Sequence, residues 1–393
     1  MDNIRIKHDF TKPIYLDYNA TTPHDPEVIN AMRPYLEEHF GNPSSSHGYG
    51  IQTKNAIEHA REQVASLLNC RPDEILFTSG GTESNNHAIK GIAYDRRAKG
   101  NHIITTEIEH PAVIEVCRHL EEQGFRVSYL PVDESGLVSL PDVQQAIQPL
   151  TILITIMHAN NEIGTIQPIE QISELARECG IVMHTDAAQS VGKIPTDVTV
   201  LGVDLLSIAG HKVFAPKGIG ALYIRRGLQL SKFMHGAGHE QGRRAGTENV
   251  LEIVGLGKAC EIAANNLEKN MLHLRAMREK LHGGLRDKIR DIRLNGHVEK
   301  RLPNTLSLSF RGVDANVLLS EIKESVAASA GAACHSGEVE MSYVLKAINL
   351  PVQWARGTLR FSTGRMTTEN EIEKAVEIIS DAVARLRKKQ GRA

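Results

Sequence analysis

Runs of apolar, β-branched residues without polar alternation limit most tightly how this chain can fold. Thr151-Ile152-Leu153-Ile154-Thr155-Ile156 is the clearest of them. A strand with one wet face alternates apolar and polar residues, so an unbroken run belongs to a strand covered on both faces. Comparable runs stand at 74–78, His102–Thr106, Arg126–Leu130, 181–185, 205–208 and Gly220–Ile224. Between them lie amphipathic stretches that predict helices from about Glu83, over 113–123, 140–147 and 169–179. Repeated strand–helix–strand order predicts a mostly parallel sheet with helices on both sides.

The pattern changes after about Val250. Residues 251–289 read as mainly helical, with apolar positions at Ile253, Leu256, Ala259, Ala263 and Leu267. Residues 304–310 alternate through Leu306, Leu308 and Phe310, which predicts a half-buried antiparallel strand. A helix over Ala315–Ile322, a strand over 359–362 and a helix over 370–387 complete the reading. With 393 residues, one core is outgrown and two domains are expected.

Charge and cysteine usage exclude several classes. Lys+Arg is 45 and Asp+Glu 47, a net charge of -2, so no general attraction to nucleic acid or anionic membrane is expected. The five cysteines, Cys70, Cys117, Cys179, Cys260 and Cys334, form no C-x-x-C pair, which disfavours a metal site or a disulfide framework. No apolar run reaches signal-peptide or membrane-span length, so a cytoplasmic location is expected. The 18 histidines are the compositional oddity.

In an open parallel sheet, ligands bind outside the carboxyl ends of the strands. After the 74–78 strand comes Ser79-Gly80-Gly81-Thr82-Glu83 opening a helix, an anion site by construction. It lacks the Gly-Lys-Ser/Thr ending of a nucleotide loop. After the next strands come Glu109-His110-Pro111, His158-Ala159-Asn160-Asn161, Asp186-Ala187-Ala188-Gln189 and Ala209-Gly210-His211-Lys212. A strand-end Lys can form a Schiff base with an aldehyde cofactor. A carboxylate facing a pyridine nitrogen keeps that ring an electron acceptor. With a phosphate site at the helix start, Lys212 and Asp186 are laid out for pyridoxal 5'-phosphate.

On these residues the chain resembles the cysteine desulfurases, of the class that also contains selenocysteine lyases. The matching motifs run from Tyr15-Leu16-Asp17-Tyr18-Asn19-Ala20-Thr21-Thr22-Pro23 and Gly41-Asn42-Pro43-Ser44-Ser45-Ser46-His47 through those above to Arg244-Ala245-Gly246-Thr247-Glu248-Asn249, Ala333-Cys334-His335-Ser336 and Leu359-Arg360-Phe361-Ser362. The resemblance implies an α/β chain of the pyridoxal-phosphate transferase fold type I, the aspartate-aminotransferase-like fold. A large domain over 15–255 would carry a mainly parallel seven-stranded sheet. A small α+β domain, 1–14 and 256–393, would carry the cysteine loop. By the same resemblance Lys212 bonds the cofactor, Asp186 meets the ring nitrogen and Gln189 the ring hydroxyl. Asn160 lies near the ring oxygen and the substrate. His110 stacks on the ring as acid/base. Gly81 and Thr82 bind phosphate with His211 beside them, and Thr247 reaches it from the neighbouring subunit of a homodimer. Arg360 grips the substrate carboxylate. Cys334, assisted by His335, takes the sulfur of L-cysteine as a persulfide for an acceptor such as an iron–sulfur scaffold or a tRNA-thiolation enzyme. The other four cysteines are expected to be packing residues.

Two positions depart from the usual cysteine-desulfurase pattern. Ala209 stands where many members have a phosphate-binding Ser, and His335 follows the cysteine. Both are like the selenocysteine lyases, which keeps release of selenide from L-selenocysteine as an alternative. An aminotransferase or a non-catalytic scaffold on the same fold are weaker alternatives, because Cys334, Lys212, Asp186 and Arg360 are all present.

Overall fold

The computed structural model describes residues 12–335 and 338–390; for 332–335, 338–340 and 390 it describes the backbone only. After a two-residue strand β1 (Ile14–Tyr15) come β2 (Ile75–Thr78), β3 (His102–Thr106), β4 (Arg126–Leu130), β5 (Thr151–Thr155), β6 (Val182–Asp186), β7 (Leu205–Ala209) and β8 (Gly220–Ile224). Strands β2 to β8 form one seven-stranded sheet in the order β2-β8-β7-β6-β5-β3-β4. Only β8 runs antiparallel, to β2 on one side and β7 on the other. Six of the seven strands are buried at every residue; the edge strand β4 is not.

Side chains in each strand point alternately to opposite faces. Ile104, Ile154, Met183 and Leu206 enter one apolar cluster, while their neighbours Ile103, Leu153, Val182 and Leu205 enter another. Two cores sandwich the sheet, which is the reason its strands read as unbroken apolar runs. The polar residues in those strands are satisfied sideways. His184 bridges Thr155 at 2.8 Å and Ser207 at 3.0 Å, across three strands. His102 likewise bridges Thr151 and Ser128. Burial pushes the His184 imidazole down to about 3. Part of the histidine surplus is therefore neutral cross-strand bridging.

The remaining strands are β9 (Ile292–Asn295), β10 (Thr305–Phe310), β11 (Val326–Ala327), β12 (Ser329–Ala330), β13 (Ala332–His335), β14 (Glu338–Met341) and β15 (Thr358–Ser362). A four-stranded antiparallel sheet, β12-β15-β10-β9, packs with helices Leu267–Lys288, Ala315–Ile322 and Glu369–Gln390 around a separate core. Strands β13 and β14 form a hairpin in which Cys334 opposes Val339.

Three expectations need revision. Strand β10 is buried on both faces, because Asn295 donates to Ser307 and Ser309, and Ser309 pairs with Thr358. Its polar residues face other polar residues rather than water. The 251–289 stretch is two helices, Val250–Asn265 and Leu267–Lys288, broken at Asn266. Cys117 and Cys260 pack in cores, but Cys179, where the Ile169–Glu178 helix ends, is exposed.

The N-terminal segment ties the two sheets together. β1 pairs in parallel with β11. Ser362 N–H donates to Leu16 O at 2.7 Å and Asn19 N–H to Ser362 Oγ at 2.8 Å. Three residues further on, Thr22 N–H donates to His211 O at the end of β7.

Candidate active site

A cavity of about 300 Å³ opens at the carboxyl edge of the large sheet. Gly81, Thr82, His110, Asp186, Gln189, Ala209, His211, Lys212 and Arg360 all line it. They come from the ends of β2, β3, β6 and β7 and from the middle of β15, so the topology assembles what lies far apart in sequence. Asn160 does not line it. Its amide donates to Ile108 O at 3.0 Å and its oxygen accepts from the N–H groups of Glu162 and Ile163, while Asn161 faces the cavity. Thr247 is exposed in the loop before helix Val250–Asn265 and does not line its own chain's cavity. Of Cys334 the structure places the backbone, on β13; its side chain, and that of His335, lie outside the described residues, as does the whole of Ser336.

The anion end is the start of helix Gly81–Asp95. Gly80 caps it with φ +151°, a conformation open to glycine. The first N–H groups of a helix have no acceptor within it and attract an anion. A Cβ on Gly81 would stand 3.1 Å from the Ala209 Cβ, so strand end and helix start are in close contact. Arg244 donates two hydrogen bonds to Glu83 in the first turn, tying the helix start to the loop that holds Thr247. Burial would raise the Glu83 carboxyl, but Arg244 and the Ser79 donors hold it below the ordinary range.

Asp186 is fixed by two donors. Asn85 Nδ2 reaches Oδ2 at 2.7 Å and Ala188 N–H reaches Oδ1 at 2.9 Å. The other polar atom of Asn85, Oδ1, is buried and has no hydrogen-bond partner among the described residues. The sequence reading did not assign Asn85. Its signal was the spacing from Gly81, four residues and so one helical face.

Gln189 is oriented by its neighbours. Lys193 can only donate, and it donates to Gln189 Oε1 at 3.0 Å; Gln189 Nε2 therefore turns away and donates to Asn19 O at 3.1 Å. Burial pushes Lys193 down to about 7.

Lys212 donates to the carbonyls of Asn19 and Ala20 at 2.5 and 2.7 Å. Burial, and after it the charge of Arg360, push its amine down to about 8. His110 accepts from Ala112 N–H through Nδ1 at 3.1 Å, capping helix Pro111–Glu122. Its neutral form therefore carries the proton on Nε2. Burial lowers its pKa, so that neutral form is favoured. His211 is pushed down to about 4 by burial and by Lys212, and its Nδ1 faces Thr21 Oγ1 at 3.2 Å.

Arg360 closes the cavity opposite the helix start. Nη2 donates to Asp17 Oδ1 at 2.9 Å and to Ser329 Oγ at 3.0 Å, and Nη1 donates to Asn161 O at 3.1 Å. Its Nε is buried without a partner among the described residues. Asp17, which orients this fork, is the second residue the sequence reading left unassigned.

The donor set fits pyridoxal 5'-phosphate. It offers an anion site, a lysine poised to lose its proton, an anchored carboxylate between them and an unsatisfied Arg beyond them.

Comparison with known proteins agrees. The family model for aminotransferase class-V matches residues 14–375. The chain is 48% identical to the cysteine desulfurase IscS of Dictyoglomus turgidum over 377 residues, 96% of each chain. It is 49% identical to the cysteine desulfurase IscS of Methanosarcina thermophila over 377 residues, 96% of this chain and 93% of that one. Among solved structures, a NifS-like protein superposes with TM-score 0.89 at 37% identity, covering 95% of this chain and 99% of its own. SspA in complex with cysteine superposes with TM-score 0.79 at 40% identity, covering 91% and 100%.

Proposed function

This chain belongs to the aminotransferase class-V family as a pyridoxal-phosphate-dependent cysteine desulfurase, and from that premise we propose how its own residues divide the work. The observation that carries the reading is the convergence of the Gly81 helix start, Asp186, Lys212 and Arg360 on one cavity.

The amine of Lys212, pushed down to about 8, is the group that bonds the cofactor aldehyde. Asp186, held by Asn85 and Ala188, keeps a proton on the pyridine nitrogen. Gln189, through the Nε2 hydrogen not given to Asn19 O, would meet the ring hydroxyl, His110 would stack on the ring, and Asn160 braces the turn 160–163. Gly81, Thr82 and His211 hold the phosphate. Once bound, pyridoxal 5'-phosphate supplies an aldehyde for the substrate amine and a ring that accepts carbanion electrons. Arg360 holds the carboxylate of L-cysteine with a planar fork. Lys212 Nζ takes the α-proton, and His110, carrying its hydrogen on Nε2, serves as acid. The Cys334 thiolate then attacks the substrate sulfur. An S–S bond forms as the Cβ–S bond breaks; the bonding pair stays with Cβ, which takes a proton, and the α-proton held by Lys212 returns to Cα to give alanine. A persulfide remains on Cys334.

The named relatives are cysteine desulfurases, and the selenocysteine lyase alternative is not favoured. The persulfide goes to a sulfur-acceptor protein, for which we propose an iron–sulfur scaffold or a tRNA-thiolation enzyme. We also propose a homodimer, in which the exposed Thr247 reaches the neighbouring cavity, and a domain division of 15–255 against 1–14 with 256–393. Residues 1–11 lie outside the described residues. No described helix is long and apolar enough to cross a membrane.

The test is Cys334→Ala. The purified variant should keep the yellow cofactor and lose sulfur transfer; unchanged turnover would overturn the role. Alanine production from cysteine and from selenocysteine, run in parallel, checks the substrate.

A further inference from the structure

The hairpin that carries Cys334 leaves the body of the protein at two residues, and both are anchored. Gly331 N–H donates to Thr358 O on β15 at 2.9 Å, and Ser342 N–H donates to Gly331 O at 3.3 Å. A Cβ on Gly331 would stand 2.8 Å from Thr358 Cγ2, so this foot of the hairpin lies directly against β15. The other foot reaches the large sheet. Ser342 Oγ donates to Glu162 Oε2 at 2.5 Å, and Tyr343 OH donates to Glu109 O at 2.7 Å. Glu162 sits in the turn after β5, next to Asn161, whose carbonyl holds Arg360. Glu109 immediately precedes His110.

Capping does not account for the Ser342 contact. Ser342 caps helix Tyr343–Ala347 by accepting from Val344 N–H at 3.1 Å, which needs only its lone pair. Its proton is spent on Glu162, a carboxylate that burial pushes up. A buried carboxylate is costly unless hydrogen-bonded, and Ser342 supplies that bond.

We propose that Glu162 and Tyr343 are positioning residues for the sulfur-transfer step: with Ser342 they clamp the foot of the Cys334 hairpin to the two strand ends that also carry His110 and brace Arg360. The inference rests on the reading of Cys334 as the sulfur acceptor. Cys334 opposes Val339, three residues above Ser342 and so roughly 10 Å along the strand. A small tilt at the foot therefore becomes a displacement of ångström size at the thiol. The turn 160–163 then sets both the substrate's carboxylate anchor and the height of the nucleophile.

The test uses the holoenzyme and its Glu162→Ala, Tyr343→Phe and double variants. Cysteine is added in a single turnover, the cofactor spectrum is followed, and persulfide on Cys334 is quantified by alkylation and mass spectrometry. The expected result is an unchanged resting spectrum, KM for cysteine within twofold of the parent, and persulfide formation slowed ~10- to 100-fold in the double variant. Ser342→Thr, which keeps the hydroxyl, should be close to the parent. Ser342→Asn, whose longer amide both caps and can donate to Glu162, should be slowed only in part, because it cannot reproduce the hydroxyl's geometry. Persulfide formed at the parental rate in the double variant overturns the inference, and so does a Ser342→Thr variant as slow as Ser342→Asn. Cys334→Ala separates the two levels. If that variant still makes alanine at the parental rate, the reading of Cys334 falls; if it is inactive while the clamp variants are fast, only the clamp falls.

Discussion

Replacing Arg360 by lysine keeps the charge and should still cost most of the enzyme's catalytic efficiency. The reason lies in how the guanidinium is already committed. Three of its donor contacts go to Asp17 Oδ1, Ser329 Oγ and Asn161 O, and its Nε is left buried without a partner among the described residues. A lysine ammonium has three hydrogens in all. Satisfying the same three acceptors would leave none for the substrate carboxylate, whereas arginine, with five N–H groups, keeps Nε–H and one Nη1–H. The loss is one charge-assisted hydrogen bond, about 1.5–3 kcal/mol. At about 1.4 kcal/mol per tenfold, kcat/KM for cysteine should fall ~10- to 150-fold, chiefly through KM. The assay is steady-state alanine formation on preparations matched for cofactor absorbance. A kcat/KM within threefold of the parent would refute the reasoning. So would loss of bound cofactor, because it would place Arg360 in cofactor retention rather than substrate binding.

Three other outcomes follow from the same geometry. Protein stripped of cofactor should recombine with pyridoxal 5'-phosphate through the uncharged Lys212 amine, so the rate should rise through about pH 8 and level off above it; because the charge of Arg360 helps lower that amine, Arg360→Met should move the midpoint alkaline, and a parental midpoint in the range of an ordinary lysine would contradict both. Glu240→Ala should be among the most damaging substitutions outside the site, since Arg61 would lose both bonds at 2.8 Å, keeping only the half-exposed Glu58 at 3.3 Å and the Ile75 carbonyl, and Phe77 N–H would lose its acceptor; breaking a buried pair costs about 3–5 kcal/mol, readable as a lowered urea midpoint. Ala209→Ser should add one phosphate donor beside Gly81 and tighten cofactor binding by ~1 kcal/mol, roughly fivefold, measured as slower cofactor loss on dilution; an unchanged rate would show that the hydroxyl does not face the phosphate.

The parts of the fold that were legible beforehand were those whose signal is local. Ile152 to Ile156 announces a strand covered on both sides because every side chain in it is apolar or small. Strand ends were legible in turn, because a parallel sheet delivers them to one edge, and Lys212, Asp186 and His110 do meet there. What stayed hidden depends on partners far along the chain. Asp17 looks like any loop carboxylate until Arg360 arrives from 343 positions away. Asn85 gains meaning only against Asp186, 101 positions on. Ser307 and Ser309 read as a wet face because nothing local reveals that Asn295 covers them. The break at Asn266 has no proline or glycine to mark it, and the exposure of Cys179 depends on which face of a helix end is left open.

The strap from Ile14 to Thr22 also fixes an order of assembly. It leaves the ribosome well ahead of Ala327 and Ser362, which are among its hydrogen-bond partners. At about 5–20 residues per second, some 340 residues of further synthesis take roughly 20–70 s. Through that interval Asn19 and Ala20, tied to Gln189 and, through Thr22, to His211, lack the small-sheet anchor of the setting that holds the amine of Lys212. The large sheet can form while the chain is still emerging, but the lysine's setting is completed only when the last strand seats the first. A nascent chain is thus kept from a finished aldehyde-binding pocket until Ser362 has emerged, and one truncated before it should be unable to hold its cofactor in the native arrangement.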